Sequence, residues 1–295
     1  MVTYRLGKPN PKQLLFFKAR AKYIAYGGAR GGGKSWAQPG KATLLAWRYA
    51  GIRVLILRRT YPELTETFVK PLKRDLAEVL RAGMVQYRET DKEFVFGNGS
   101  LVMLGYCDNA ADLNRYQGAE YDVIFIDEAT QWPEEWFITL TACVRGANDF
   151  PKRIYLTCNP GGVGHNWVKR LFIDREYKPT ENPEDYVFIP AKVYDNEVLM
   201  QKDPGYLKSL ENLPEKLRRG WLDGEWDLFD GQYFAEFRRE RHVVRPFALP
   251  GSWRRYVTLD YGMDMLAVLW IAVDEQGLAY VYREIYEGRD NGKGE

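Results

Sequence analysis

Short, continuous apolar runs recur along the first two thirds of the chain, at residues 23–26, 54–57, 123–126, 154–157 and 186–189. Such runs are typical of strands that are buried on both faces of a parallel sheet. Helix-forming segments separate several of them, and residues 71–80 are predicted as a helix with Pro71 in its first turn. Strands that alternate with helices predict an α/β domain in which helices cover both faces of a mainly parallel sheet.

A β-hairpin is predicted between the second and third of these runs. Residues 93–96 and 100–104 are apolar segments that flank Gly97-Asn98-Gly99. An Asn-Gly pair tolerates the left-handed backbone conformation of a tight turn, so this spacing favours two antiparallel strands.

The composition of the chain changes after residue 210, where Pro214, Gly220 and Gly224 occur among several arginines and tryptophans. This composition is typical of an interdomain linker. Three strands are predicted beyond it, at residues 256–260, 266–273 and 279–286. Since three strands without a covering helix make a poor core, we expect a truncated second domain. The predicted ranges are a first domain at 1–211, a linker at 212–235 and the start of a second domain at 236–295.

The composition is that of an ordinary globular protein, with 45% hydrophobic and 28% charged residues. A net charge of +2 is too small to establish nucleic-acid binding, so contacts with DNA would depend on local clusters such as Lys70, Lys73 and Arg74. Three widely spaced cysteines support neither a disulfide framework nor a zinc site. The longest apolar run, residues 265–273, is too short to span a membrane, and no secretion signal is evident, so a soluble protein of a reducing cytoplasm is expected.

A glycine-rich loop after the first apolar run carries the most specific chemical signal. Residues 28–35 fit the pattern GxxxxGK[ST], which is typical of a loop that binds nucleotide phosphates. In this pattern backbone N–H groups turn towards a phosphate, the lysine supplies positive charge and the serine hydroxyl binds Mg²⁺. A surface turn is the alternative, but the strand before the loop and the helix after it favour phosphate binding. The residues concerned are Gly28, Gly31, Gly32, Gly33, Lys34 and Ser35.

The helix that follows the loop is interrupted by Gln38-Pro39-Gly40. A proline inside a helix costs about 3 kcal/mol, and a glycine costs about 1 kcal/mol relative to alanine. We therefore expect this helix to kink or restart near residue 40, which would lower the efficiency of nucleotide hydrolysis.

Candidate groups for hydrolysis follow the later apolar runs. Asp127 and Glu128 come directly after the run at 123–126; Asp127 is predicted to hold the coordination sphere of Mg²⁺, and Glu128 to orient or deprotonate the attacking water. A pair of helix-capping acids is the alternative. Asn159 follows the run at 154–157 and is placed to sense the γ-phosphate, although an Asn-Pro turn explains it nearly as well.

Other candidate side chains lie outside these strand ends. Gln13, ahead of the loop, has an amide that can read the edge of adenine. An arginine that stabilises charge on the transferring phosphoryl group is expected at Arg30 in the loop, or at Arg115 acting across a subunit interface. Either is also consistent with a surface arginine. The two histidines, His165 and His242, lack partners at metal-ligand spacing and are predicted to be structural.

Several segments together resemble the large terminase subunit of tailed bacteriophages, along nearly the whole chain. Generic ATPase motifs do not specify this family, but their order, combined with the linker and a late Asp-x-Gly, does. The segments are Pro11-Lys12-Gln13, the glycine-rich loop, Leu57-Arg58-Arg59-Thr60-Tyr61-Pro62, Tyr116-Gln117-Gly118, residues 123–130, Leu156-Thr157-Cys158-Asn159-Pro160, Gly224-Glu225-Trp226 and Leu259-Asp260-Tyr261-Gly262.

The resemblance implies an ATPase domain with an additional strand between its two nucleotide-binding motifs. It makes Lys34 and Ser35 the contacts of phosphate and Mg²⁺, Asp127 the metal-associated acid and Glu128 the catalytic carboxylate. It also makes the segment from Thr157 to Asn159 the motif that couples hydrolysis to movement.

The resemblance further implies a ribonuclease H-like nuclease that cuts concatemeric DNA with Mg²⁺ or Mn²⁺. Asp260 matches its first metal-binding carboxylate. Two-metal hydrolysis needs several acids, and the nearby Asp264 is also consistent with a turn cap, so we expect little or no nuclease activity from this chain.

As a family member, the protein would hydrolyse ATP to move double-stranded DNA into procapsids. Its partners would be the small terminase subunit and the portal protein of the procapsid, on which it would dock from the host cytoplasm as a homo-oligomeric ring, without a membrane. Two alternatives remain: a helicase-like nucleic-acid ATPase, or a nucleotide-binding module for assembly or DNA binding with little turnover.

Overall fold

The chain forms two compact units, Met1–Ala235 and Glu236–Glu295. The computed structural model describes residues 6–227, 239–261 and 265–288. Part of the predicted linker, residues 212–227, belongs to the first unit, where Leu222 and Trp226 are buried in its core. The remainder, residues 228–235, lies outside the described residues.

The first unit is built on one sheet. Its strands are β1 (Tyr23–Gly28), β2 (Arg53–Arg58), β3 (Val85–Arg88), β4 (Glu93–Phe96), β5 (Leu101–Tyr106), β6 (Val123–Ile126), β7 (Arg153–Cys158) and β8 (Tyr186–Ala191). Among the described residues their order across the sheet is β3-β4-β5-β2-β6-β7-β1-β8. All neighbours from β5 to β8 are parallel, and only the β3-β4 and β4-β5 pairs are antiparallel. The additional strand that the resemblance implied is β7, which lies between β1 and β6.

The central strands are buried on both faces, as their apolar runs predicted. In β1, Ile24 and Tyr26 pack into the core on one face of the sheet, while Tyr23 and Ala25 pack into the core on the other. A side-chain period of two within a continuous apolar run produces this pattern. The α/β fold with a mainly parallel sheet is therefore confirmed.

Helices cover both faces of this sheet. One core receives Phe16, Leu45 and Phe68, and the other receives Tyr116 and Phe137. The helices of the first unit are α1 (Pro11–Lys18), α2 (Lys34–Arg48), α3 (Tyr61–Leu64), α4 (Lys70–Asp75), α5 (Ala77–Arg81), α6 (Ala110–Gln117), α7 (Glu134–Cys143), α8 (His165–Val168), α9 (Glu197–Lys202), α10 (Gly205–Glu211) and α11 (Glu215–Arg218). No helix in the described part of the chain combines the length and the hydropathy that crossing a membrane requires.

Helix α2 runs through Pro39 without a break, so the restart predicted near residue 40 does not occur. Pro39 and Gly40 are both buried. A Cβ at position 40 would come within 2.9 Å of Leu6 Cδ1, so the glycine makes room for the segment that precedes α1. Tertiary packing therefore offsets the local cost of the Pro-Gly pair.

The helix predicted at residues 71–80 begins ten residues earlier. Thr60 caps the start of α3 by accepting the N–H of Glu63, and a π-helical turn at Thr65–Val69 joins α3 to α4. Leu76 then leaves the helical conformation before α5 begins. A threonine followed three residues later by a glutamate is a helix start signal, and it marks this helix better than Pro71 does.

The predicted hairpin and the three predicted strands near the end of the chain are both confirmed. β4 and β5 form the hairpin around Asn98. In the second unit, helix α12 (Arg239–His242) precedes an antiparallel sheet of β9 (Arg254–Tyr261), β10 (Met265–Val273) and β11 (Ala279–Gly288), in which β10 is central. Asp274 closes the turn after β10 by accepting two backbone N–H groups.

Candidate functional site

The glycine-rich loop joins β1 to α2 at the carboxyl edge of the sheet, where ligands bind in open α/β folds. Gly28 ends β1 with φ of 116°, and Gly31 and Gly33 have φ of 79° and 82°, a region that favours glycine. At Gly32, a Cβ would lie 2.9 Å from the Cβ of Ala191 in β8. The loop therefore requires glycine both for its conformation and for its close approach to a neighbouring strand.

A cavity of about 530 Å³ opens in front of this loop. Its described lining carries three cationic side chains, Arg30, Lys34 and Arg58, but only one carboxylate, that of Glu128. Ser35, which is exposed in the first turn of α2, also lines it. A helix N-terminus, a glycine-rich backbone and an excess of positive charge together favour a polyphosphate ligand.

Lys34 is the most buried of the three cations, with 7% of its surface exposed. Its ammonium donates to the carbonyl of Ala29 and to Asn159 Oδ1, the latter at 2.8 Å. Burial lowers the pKa of Lys34, while the carboxylates of Glu128 and Asp127 act in the opposite direction. An anion in the cavity would stabilise the charged form, since opposite charges favour ionisation.

Asp127 and Glu128 follow β6 and are held by Thr157 of the adjacent strand β7. The Thr157 hydroxyl donates to Asp127 Oδ1 and accepts the backbone N–H of Glu128 at 3.0 Å. Glu128 has φ of 50°, a left-handed conformation that is uncommon for residues with a side chain. Such conformations persist where the surroundings impose them, often at functional sites.

Asn159 connects the lysine of the loop to the acid after β6. Its Oδ1 accepts from Lys34, and its Nδ2 donates to both carboxylate oxygens of Glu128 at 2.9 Å. The Asn159 side chain therefore contacts both Lys34, the residue predicted to bind phosphate, and Glu128, the predicted catalytic carboxylate. The alternative of a simple Asn-Pro turn does not account for these contacts.

Arg58 is a site residue that the sequence reasoning did not select. It ends β2, and its Nη1 lies 2.8 Å from Asp127 Oδ2. Burial raises the pKa of Asp127, and the Arg58 guanidinium opposes that shift. The sequence contained a signal for Arg58, because this residue directly follows the apolar run at 54–57. Parallel strands place their carboxyl ends side by side, so residues at this position meet at the ligand-binding edge of the sheet.

Gln13 lies on α1 and supports the loop. Its Nε2 donates to the carbonyl of Gly33 at 2.9 Å, and its Oε1 accepts the N–H of Asn10 at 2.8 Å. Together with Trp36 it lines a second, more apolar cavity of about 720 Å³. One N–H and one lone pair of the Gln13 amide are left for a ligand, so adenine recognition stays a prediction.

The two arginines considered for charge stabilisation lie in different places. The Arg30 guanidinium stacks on Trp221, 3.3 Å from the centre of the ring. The backbone N–H of Arg30 donates to the backbone carbonyl of Trp221 at 2.7 Å. Arg115 is exposed on α6, pairs with Asp112 and packs over Tyr106. The structure therefore brings Arg30 to the cavity wall and leaves Arg115 away from it.

Asp260 belongs to the second unit, where it is exposed on β9 opposite Ala267 of β10. Among residues 6–227, 239–261 and 265–288, no group of three histidine, cysteine, aspartate or glutamate side chains is placed to hold a metal ion. Asp264 lies outside the described residues. A nuclease role for Asp260 stays a prediction.

Replacing Thr157 by valine is expected to lower the free energy of unfolding by about 1–3 kcal/mol. Thr157 is fully buried, and valine has nearly the same shape, so the change removes two hydrogen bonds without creating a cavity. It leaves the Glu128 N–H and one Asp127 oxygen unpaired. Denaturant unfolding of the two proteins measures the difference.

Thr43→Val is the matched control for this substitution. Thr43 is also fully buried, but its hydroxyl finds no hydrogen-bond partner in the described part of the chain. Removal of an unpaired buried hydroxyl should leave stability unchanged or raise it. An equal loss of stability from both substitutions would contradict the role assigned to Thr157.

The fold and the sequence were compared with known proteins. A family model described as phage terminase large subunit matches residues 20–225. Curated protein sequences gave no match. Among solved structures, the large terminase of a thermophilic bacteriophage superposes with a TM-score of 0.60 and 18% identity, over 95% of this chain and 69% of that one. The same terminase in complex with ATP-gamma-S superposes with a TM-score of 0.55 and 19% identity, over 95% and 68% of the two chains.

Two further structures share the fold. The ATPase domain of the large terminase of Thermus phage P74-26 matches with a TM-score of 0.53 and 19% identity, over 74% of this chain and 94% of that domain. A chain of the bacteriophage Phi-29 viral genome packaging motor assembly matches with a TM-score of 0.50 and 17% identity, over 93% and 79% of the two chains. These identities are low enough that the superpositions show a common fold only. The family model, in contrast, covers more than half of the sequence, so the chain belongs to the phage terminase large subunit family.

Proposed function

We propose that the first unit hydrolyses ATP and uses the energy to move double-stranded DNA into viral procapsids. The observation that carries this proposal is the convergence of Lys34, Glu128 and Asn159 on one positively charged cavity at the carboxyl edge of the sheet. Asp127 is buried next to Glu128 and pairs with Arg58, which also lines the cavity. Membership of the terminase family supports the DNA-packaging role. The solved relatives with ATP-gamma-S and in a packaging motor support the choice of ATP and of viral DNA.

The residues around the cavity fit a triphosphate. The loop from Gly31 to Gly33 would receive phosphate oxygens on its backbone N–H groups, and Lys34 would exchange its Ala29 and Asn159 contacts for phosphate. Ser35 and Asp127 would hold Mg²⁺, which neutralises developing phosphate charge. Burial raises the pKa of the Asp127 carboxyl group and so disfavours its ionised form. Bound Mg²⁺ would stabilise that ionised form, so Asp127 fits the role of a metal ligand.

Glu128 is proposed as the group that orients the attacking water and accepts its proton. Its carboxylate lies on the cavity wall, and both of its oxygens accept from the Asn159 Nδ2 amide. A positioned carboxylate contributes about 10²- to 10⁴-fold to such a reaction. Since Asn159 touches Lys34 as well, a change at the phosphates would be transmitted to Glu128 through one side chain.

The remaining assignments follow the family. We propose a homo-oligomeric ring on the portal protein of the procapsid, recruitment of DNA through the small terminase subunit, and a location in the host cytoplasm before docking. In such a ring, the charge-stabilising arginine is proposed to be either Arg30 of the same subunit or Arg115 acting across a subunit interface. Asp260 is proposed to contribute to a Mg²⁺- or Mn²⁺-dependent nuclease, for which one carboxylate is insufficient.

A packaging assay tests the proposed function directly. Purified protein, portal-bearing procapsids and linear double-stranded DNA are incubated with ATP, and DNA that resists added nuclease is measured. We expect protected DNA with ATP and none with the Lys34→Ala variant, whose cavity lacks the buried ammonium. Separation of a forked duplex without any protected DNA would favour a helicase, and binding of ATP without phosphate release would favour a nucleotide-binding module.

A further inference from the structure

Arg58 lies at the junction of two cavities. It lines the cavity of about 530 Å³ in front of the loop, and also a neighbouring cavity of about 480 Å³ that contains no residue between Gly31 and Ser35. Arg30, Glu128 and Asn159 line both cavities as well. The Arg58 side chain therefore lies beside the predicted catalytic carboxylate, where the neighbouring cavity continues away from Gly31 to Ser35.

The contacts of Arg58 use only part of its hydrogen-bonding capacity. Its Nη1 donates to Asp127 Oδ2, and Glu63 Oε2 lies 3.4 Å from its Nε. The buried Nε has no hydrogen-bond acceptor in the described part of the chain. A guanidinium has five N–H groups in a planar fork, so Arg58 can hold Asp127 and still present donors to a second oxyanion.

Strand register fixes the direction of Arg58. Leu57 of β2 pairs with Ile126 of β6, so Arg58 and Asp127 are the next residues on two adjacent parallel strands. The Arg58 side chain is 12% exposed, and that of Asp127 is 7% exposed. Separating a buried ion pair leaves an uncompensated charge, so the contact with Asp127 holds the Arg58 guanidinium in this direction.

We propose that Arg58 is the residue that distinguishes ATP from ADP, by donating to the terminal phosphate while Asp127 holds its guanidinium in place. This inference rests on the proposed function of the same cavity. The loop begins at β1 and would serve phosphates that both nucleotides share, and Lys34, which donates to Asn159, lies between the loop and Glu128. Arg58 pairs with Asp127 on the Glu128 side of the cavity, and we place the third phosphate there.

The test compares the binding of ADP with that of ATP-gamma-S, the triphosphate probe, by calorimetry in the presence of Mg²⁺. In the unmodified chain we expect ATP-gamma-S to bind more tightly than ADP. Arg58→Gln removes a charged hydrogen bond to one phosphate, so ATP-gamma-S affinity should fall about 10- to 100-fold while ADP affinity is unchanged. The ratio of the two affinities is the readout, since a general structural defect would lower both together.

Two further variants keep the test decisive. Arg58→Gln leaves a buried carboxylate unpaired, so Arg58→Lys, which retains the charge beside Asp127 but has no planar fork, is measured in parallel. We expect the lysine variant to remain folded in thermal unfolding and to lose most of the discrimination. Arg59→Lys is the matched control, because Arg59 is the next residue, donates to the Asp108 carbonyl and packs over Trp136 away from both cavities.

Equal losses of affinity for the two nucleotides in a folded Arg58→Lys variant would overturn the proposal and leave Arg58 with a structural role. The same holds if Arg59→Lys changes the ratio as much as Arg58→Lys does. If the unmodified chain binds neither nucleotide, the proposed function itself fails, and this inference fails with it. Nucleotide binding with an unchanged ratio would refute only the assignment of Arg58.

Discussion

Replacing Glu128 by glutamine is expected to lower the turnover number for ATP about 10²- to 10⁴-fold. The glutamine amide has the size of the carboxylate and can still meet the Asn159 side chain, but it cannot accept a proton from water. Because the cavity keeps Lys34, Arg58 and the loop, the affinity for ATP should change little. Phosphate release under saturating ATP measures turnover, and calorimetry measures binding.

Glu63→Gln is the control that identifies unspecific effects of replacing a carboxylate by an amide. Glu63 lies near Arg58 at the edge of the neighbouring cavity, and its side chain is 41% exposed, so Glu63→Gln makes the same chemical change outside the predicted reaction centre. We expect this variant to retain most of its turnover. If Glu128→Gln and Glu63→Gln reduced phosphate release equally, Glu128 would not be the general base.

Replacing Lys34 by alanine is expected to remove nucleotide binding as well as hydrolysis. The ammonium of Lys34 is buried at the cavity wall, where a charged hydrogen bond to phosphate is poorly screened by water. Loss of one preorganised donor of this kind costs about 10²- to 10³-fold in rate. The affinities for ATP and for ADP should both fall, since Lys34 begins α2 directly after the loop that either nucleotide would contact.

Lys41→Ala is the control for this substitution. Lys41 lies on the same helix, donates to the carbonyl of Phe17 at 2.6 Å, and burial lowers its pKa to about 8. It is thus a half-buried lysine on α2 that does not line the phosphate cavity. Loss of ATP affinity in Lys41→Ala of the same size as in Lys34→Ala would show that the helix, and not the cavity, is affected.

The strands and the position of the site were predictable because both depend on short-range patterns. Continuous apolar runs identified β1, β2, β6, β7 and β8, and the residues that follow such runs must meet at one edge of a parallel sheet. Asp127, Glu128 and Asn159 were selected as candidate site residues in this way. The loop was found from its glycines, whose left-handed conformations at Gly31 and Gly33 are what the pattern encodes.

The parts that were missed depend on contacts between distant segments. The pairing of Arg58 with Asp127 depends on the register of β2 against β6. The resemblance placed Thr157 in the coupling segment, but its hydrogen bonds to Asp127 and Glu128 could not be predicted. Trp221 was assigned to a linker, but it stacks on Arg30, 191 positions earlier in the chain. Neither composition nor periodicity contains this pairing information.

Helix α2 shows the opposite error, in which a local rule was applied too strictly. Propensity predicted a kink or a restart near residue 40, and the restart does not occur because the Pro-Gly pair is buried against neighbouring segments. Helix propensities are small relative to the packing of a buried helix face. A restarted helix therefore gives no reason to expect inefficient hydrolysis.

The central claim is that one cavity binds ATP through Lys34 and hydrolyses it through Glu128. The most direct test measures phosphate release from ATP with Mg²⁺ by the unmodified chain, Lys34→Ala and Glu128→Gln under identical conditions. We predict release by the unmodified chain and a loss of at least about 10²-fold in each variant. Equal phosphate release from all three proteins would contradict the assignment of this cavity as the site of hydrolysis.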